Sequence, residues 1–305
     1  MFTAFGVEAI EYRLQKAATK VVFTDSHNRE KFNDINPLLL TPTKKQVNGK
    51  TMQVQNNTFL VTGGASGLGE ATTRYLVAHG ANVIIADLNQ KAGEKLVAKL
   101  GDKVIFAKCD ITSEADVKNA IEAGVTKFGK LSGSINCAGI VVVQKLLDKE
   151  GNPADLTTFA RGIQINLIGT FNVARLAAAA MAKNTADSNE DKGVIINTAS
   201  IAAFDGQVGQ GSYSSSKAGV VGLTLPLARE LQRHQIRIMT IAPGVFGTPM
   251  MASLPEAART SLEQAVPFPK RLGNPEEFAK LVAHIIENSY LNGDVIRLDG
   301  AIRMG

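Results

Sequence analysis

The chain has 305 residues, 45% of them apolar and 20% charged, with 28 Gly and a formal net charge of +5, an ordinary globular composition. No uncharged apolar run reaches the roughly 18 residues of a bilayer-spanning helix, so a soluble protein without membrane association is expected. Two cysteines, Cys109 and Cys137, and four histidines argue against a disulfide scaffold or a metal centre and fit a reducing, intracellular compartment.

Residues 1–51 carry +3 of the net charge, leaving the rest at +2 with no basic block interleaved with aromatics, so no dedicated nucleic-acid surface is expected. This leader lacks strand alternation and is punctuated by Pro37, Pro42 and Gly49. It reads as a poorly ordered N-terminal extension, either a fusion leader, an upstream mis-start or a tail, with Met52 as the natural start of a domain over 52–305. A mitochondrial transit peptide is the other reading, but Glu8 and Glu11 weigh against it, because such peptides are poor in acids.

From Met52 the pattern alternates. Phe59–Thr62 reads as a strand, Gly69–His79 as a helix, Val83–Ala86 as a strand and Lys91–Leu100 as a helix. Val104–Ala107 makes a third strand, Glu114–Phe128 a helix capped by Ser113, and Leu131–Asn136 a fourth strand. Leu156–Met181 is a long Ala-rich helix, Val194–Thr198 a strand, Ser212–Gln232 a helix and Arg237–Ile241 a strand. Glu276–Glu287 closes with a helix and Val295–Leu298 with a last strand. Strands this short and uniformly apolar are covered on both faces. The fold class is therefore α/β, a single doubly wound Rossmann-like domain with a parallel sheet between helix layers.

Between the first strand and helix lies Thr62-Gly63-Gly64-Ala65-Ser66-Gly67-Leu68-Gly69. Glycines there admit a tight turn and a close approach to a pyrophosphate, whose charge meets the helix N-terminus. Asp87 ends the second strand, where an acid can bind a ribose 2′-hydroxyl and repels a 2′-phosphate. These residues point to a dinucleotide, with NAD preferred to NADP. Further on, Tyr213 and Lys217 stand four apart on a helix and share a face. A nearby ammonium is expected to lower the phenol pKa, so that Tyr213 exchanges a proton with an alcohol or ketone. Ser200, from another strand, is positioned to hydrogen-bond the substrate oxygen.

The glycine loop, Asn136-Cys137-Ala138-Gly139, Asn166, Ser200, the Tyr213/Lys217 pair and Pro243-Gly244 together resemble the short-chain dehydrogenase/reductases, from about Phe59 to the C-terminus. The resemblance implies Tyr213 as acid/base, Lys217 also as a ligand of the nicotinamide ribose, Ser200 as substrate-positioning, and Asn166 as holder of a proton-relay water. Segments of the last third, among them Gly206-Gln207-Val208-Gly209-Gln210, Val266-Pro-Phe-Pro269 and Val295–Met304, are similar to the 3-hydroxyacyl-CoA dehydrogenases of that family. That likeness implies NAD-dependent oxidation of a short or branched (3S)-3-hydroxyacyl-CoA in a homotetramer. It also implies a cofactor site lined by Gly63, Ser66, Gly67, Leu68, Gly69, Asp87, Asp110, Ile111, Cys137, Gly139 and Phe246. Asp110 would address the adenine and Thr248 the carboxamide, with Gln207, Ser200 and Tyr213 on the substrate.

Two long loops, Val142–Leu156 and Gly247–Gly273, are expected at the substrate end. Met250, Met251 and Leu254 would line an acyl pocket, and Lys270 or Arg271 would reach a CoA phosphate; plain packing and solvated surface charge are the alternative. Three functional readings compete with the acyl-CoA one: a ketoacyl carrier-protein reductase, disfavoured by Asp87; an NAD-dependent alcohol or hydroxysteroid dehydrogenase; and a non-catalytic NAD-binding sensor, which could dispense with the Ser200, Tyr213 and Lys217 set. A chain beginning at Met52 would be cytoplasmic, and one with a true presequence would lie in the mitochondrial matrix.

Overall fold

The computed structural model describes residues 51–186, 191–252 and 255–304. The expectations for residues 1–50 and for Leu254 lie outside the described residues. Seven strands form one all-parallel sheet: β1 (Thr58–Thr62), β2 (Asn82–Asp87), β3 (Val104–Lys108), β4 (Gly133–Asn136), β5 (Gly193–Thr198), β6 (Ile236–Pro243) and β7 (Val295–Leu298). Their spatial order is β3-β2-β1-β4-β5-β6-β7. The order reverses between β1 and β4, and a crevice at such a reversal, beyond the carboxyl ends of the strands, is where open α/β sheets bind ligands.

The helices are α1 (Gly67–Ala78), α2 (Gln90–Leu100), α3 (Glu114–Phe128), α4 (Leu156–Ile163), α5 (Thr170–Met181), α6 (Gly211–Leu231), α7 (Pro249–Ala252), α8 (Glu256–Gln264) and α9 (Pro275–Glu287). The pleat of β1 explains the two layers. Phe59 and Val61 face one core with Leu76 of α1 and Phe278 of α9, while Leu60 faces the other with Val117 of α3 and Val173 of α5. Successive side chains of a strand point to opposite faces, so an unbroken apolar run serves both layers. Burying each such side chain contributes about 1.5–3 kcal/mol. Ser113 caps α3 by accepting from Asp116 N, and Asn274 with Glu277 forms a capping box on α9.

Two expectations are corrected. The Leu156–Met181 helix is not continuous: Gln164–Gly169 forms a π turn between α4 and α5. Each flanking segment keeps its own α-helical pattern, so the turn shows in the sequence only as a phase slip of about 100° between two short segments, which an Ala-rich stretch hides. The stretch Gly247–Gly273 is not loop throughout, since it holds α7 and α8. Among the described residues no helix is long and apolar enough to cross a membrane.

Candidate active site

The carboxyl ends of β1, β2, β4, β5 and β6 bring the candidate residues to one edge of the sheet. After β1 the chain turns through Gly63 and Gly67, both at positive φ (63° and 53°), a conformation that glycine adopts without strain. A Cβ at Gly69 would collide with the carbonyl oxygen of Gly63, so α1 can lie against the turn only with glycine there. Ser66, the N-cap residue of α1, is exposed and makes no side-chain capping bond, leaving first-turn N–H groups available to an anion. Leu68 is partly buried and packs on the α1 and α9 side of the core. The Asp87 carboxylate is steered into this corner by two backbone donors, Ala65 N at 3.1 Å and Asn89 N at 2.9 Å.

Asp110 and Ile111 follow β3. Asp110 accepts from Thr112 N and Oγ1 (2.9 and 2.8 Å), and Ile111 is buried against α5 and α3. After β4, Cys137 Sγ receives a hydrogen bond from Thr198 Oγ1 at 3.7 Å, and burial pushes its thiol pKa up to about 11. A neutral thiol of this kind is a wall, not a nucleophile. Gly139 provides a floor: a Cβ there would stand 2.9 Å from Asn166 Oδ1 and 3.4 Å from Lys217 Nζ.

Asn166 sits in the π turn, fully buried. Its Oδ1 accepts from Ile140 N (2.8 Å), and its Nδ2 donates to Ile140 O (2.9 Å) and to Ser216 Oγ (3.0 Å). Ser216 Oγ in turn donates to Tyr213 O at 2.7 Å. The loop after β4, the π turn and the helix carrying Tyr213 are thus one hydrogen-bonded unit. Ser200, 9% exposed, caps the turn Ile201–Ala203 through Ala202 N and also hydrogen-bonds the Tyr213 phenol.

Lys217 is buried, donates to Thr198 O at 2.8 Å, and holds its Nζ 5.9 Å from the Tyr213 ring centroid. Burial lowers the lysine pKa to about 8. Here the structure corrects the expected electrostatics. The Tyr213 phenol is pushed up by burial, opposed by the Ser200 hydrogen bond, and the ammonium is not among the groups that lower it. Desolvation penalises phenolate and ammonium alike, and the lysine is turned toward a carbonyl.

On the far wall Phe246 is buried and bridges Gly273, while Thr248 packs over Gly67, its Cβ 3.6 Å from where a Gly67 Cβ would stand. Gln207 lies in the loop after Ser200, where its N–H donates to Gln210 Oε1 at 3.0 Å. Arg271 is not turned toward a ligand phosphate, because Glu277 holds it through two hydrogen bonds of 2.8 and 2.7 Å. A cavity of about 590 Å³ beside it, lined by Gly247, Gly273 and Lys280 among others, excludes Ser200, Tyr213 and Lys217. Three contributors escaped sequence reasoning: Ser216, Thr198, whose main-chain oxygen receives Lys217, and Thr62, whose hydroxyl accepts from Ala138 N at 3.2 Å. Ser216 lies inside the Tyr213 to Lys217 spacing, so its one-turn offset from Tyr213 was a readable signal.

A glycine-lined crevice at the sheet reversal, with an uncapped helix N-terminus, a steered carboxylate and a Ser/Tyr/Lys/Asn cluster, defines a dinucleotide-dependent oxidoreductase of the short-chain type. Residues 57–259 match the short chain dehydrogenase family, and the chain belongs to it. It is 54% identical over 252 residues to the 3-hydroxyacyl-CoA dehydrogenase type-2 of Drosophila melanogaster, covering 82% of this chain and 99% of that protein. The Homo sapiens protein of the same name is 54% identical over 80% of this chain and 94% of its own length. The crystal structure of 3-hydroxyacyl-CoA dehydrogenase type-2 from Mycobacterium avium superposes with a TM-score of 0.79 at 44% identity, covering 82% of this chain and 96% of that one. Family membership implies a nicotinamide cofactor, and the glycine cradle and uncapped α1 terminus fit one.

Proposed function

We propose that the chain is an NAD-dependent dehydrogenase that oxidises a short or branched (3S)-3-hydroxyacyl-CoA to the 3-oxoacyl-CoA. The observation that carries the reading is the convergence of Ser200, Tyr213, Lys217 and Asn166 beside the glycine cradle. The names of the relatives support the acyl-CoA substrate. In this reading the first turn of α1 meets the pyrophosphate and Asp87 accepts from the adenosine ribose, so that a 2′-phosphate is repelled and NAD is selected. The bound nicotinamide supplies a hydride acceptor.

Ser200 donates to the substrate oxygen and fixes it beside the Tyr213 phenol. The hydroxyl proton passes to Tyr213 Oη, which must be ionised to accept it. Lys217, anchored on Thr198 O, is placed to meet the nicotinamide ribose, and Asn166 keeps the loop after β4 in register with Tyr213. Because burial holds the phenol protonated, oxidation speeds up as pH rises, whereas the reverse reduction uses the neutral phenol directly. We propose further that residues 52–305 are the catalytic domain, that it assembles as a homotetramer, and that it works in the cytoplasm, with the mitochondrial matrix as the alternative.

The test is steady-state NADH formation from (3S)-3-hydroxybutyryl-CoA, its 2-methyl analogue, a simple secondary alcohol and a hydroxysteroid, each with NAD and NADP. A much larger kcat/KM for the thioesters with NAD is expected. Turnover of only the alcohol or the steroid would overturn the acyl-CoA assignment, and inactivity on all four would leave a nucleotide-binding protein without dehydrogenase activity.

A further inference from the structure

Arg297 projects from β7 into a polar hub. Its Nη2 donates to Asp205 Oδ2 at 2.6 Å and to Ile302 O at 3.2 Å, its Nε donates to Asp299 Oδ2 at 2.8 Å, and its guanidinium carbon lies 5.2 Å from the Phe204 ring centroid. The side chains of Asp205 and Arg297 are 18% and 23% exposed, so the pair is partly shielded from solvent. A planar guanidinium with donors in fixed directions holds two carboxylates and a carbonyl at once, which a lysine could not do.

Asp205 stands five residues after Ser200. The intervening turn is capped by Ser200 Oγ, and Asp205 N donates to Ile201 O at 2.9 Å. Beneath it Ile201, Val266 and Ile302 form a small buried cluster that joins this turn to the C-terminal segment. At its far end the loop is tied by Gln144 N donating to Gly209 O at 2.7 Å. Phe204, beside the first tie, and Val208, between the two, are 49% and 84% exposed. Little apolar burial holds residues 204–210, so polar ties at the two ends decide where the loop sits.

We propose that Arg297, acting through Asp205, is a positioning residue that fixes the loop 204–210 against the substrate end of the site and so sets substrate affinity without touching the cofactor. The inference rests on the proposed function together with the family likeness, which implies that Gln207 of this loop meets the substrate.

The test compares Arg297→Gln, Asp205→Asn, the double variant and Asp205→Glu with the wild-type enzyme. Kinetics use whichever alcohol of the panel above the wild type oxidises fastest, so a failed acyl-CoA assignment appears as a wild-type preference and leaves the loop question intact. Each single substitution removes the charge-assisted tie between Arg297 and Asp205 and is expected to raise KM about 10-fold, with kcat and the NADH dissociation constant within about 2-fold of wild type. The double variant should be no worse than either single one, because either change already unties the loop. Asp205→Glu, which keeps the charge, should recover most of the affinity. Hydrogen exchange of the NADH complexes should quicken in residues 204–210 and stay unchanged in β1 and β4. Unchanged exchange in the loop, or unchanged KM with a faster-exchanging loop, would overturn the proposal.

Discussion

Replacing Lys217 by Met removes a buried cation while keeping most of the side-chain volume. The lysine is 4% exposed and titrates near 8 in the folded protein against 10.5 for the free side chain. Because the folded value is the lower one, the unfolded chain binds more protons between these two pH values, and the stability of the wild type rises with pH across that window. The whole displacement corresponds to about 3 kcal/mol, of which about 2 kcal/mol is recovered between pH 7 and pH 9.5. The Met variant has no such group, so its stability relative to wild type should fall by that amount over the same interval. Urea unfolding of both proteins at the two pH values measures this, and titrations common to both cancel in the difference. A stability difference that stays constant to within about 0.5 kcal/mol would refute the view that burial, and not a compensating partner, controls this lysine.

Tyr213→Phe should bind NADH almost normally yet lose at least about 100-fold in kcat, read by fluorescence titration and initial rates. In the wild type, kcat/KM for oxidation should climb from pH 7 to pH 10, following the burial-raised phenol; a profile flat over that range would contradict the assigned base. Asp87→Ala should narrow the preference for NAD over NADP and lose the anchor for Ala65 N and Asn89 N, checked by the ratio of kcat/KM values with the two cofactors. Arg237→Leu should destabilise the fold by about 3–5 kcal/mol, because it breaks the buried ion pair with Asp191 and frees carbonyls at the end of α9, as urea unfolding would detect.

The sheet was legible because its strands are short, apolar and separated by glycine turns and amphipathic helices; Val295–Leu298 matches to the residue, and Ser113 caps α3 as read. Apolar pattern reports burial, and that was enough to locate seven strands along the chain. It does not report backbone hydrogen-bond spacing, which is why the π turn at Asn166 was read as plain helix. Nor does it report desolvation, so the ammonium of Lys217 was assigned more influence on Tyr213 than its burial and its bond to Thr198 O allow. Asp205 and Arg297, 92 residues apart, could not be paired from spacing at all, since only the folded sheet brings β7 beside the turn after β5.

The π turn between α4 and α5 also bears on how this chain can change length. One residue advances a helix by about 100°, so deleting a residue within Gln164–Gly169 would straighten the rod and swing one half around it. Either α4 would lose its seat on α6, or α5 would turn Val173 and Ala177 away from the sheet. The Asn166 carboxamide would leave Ile140 in both cases. Insertions and deletions tolerated in the neighbouring stretch 142–155, which no helix constrains, should therefore be barred at these six positions, and alignments of functional variants should be free of gaps there.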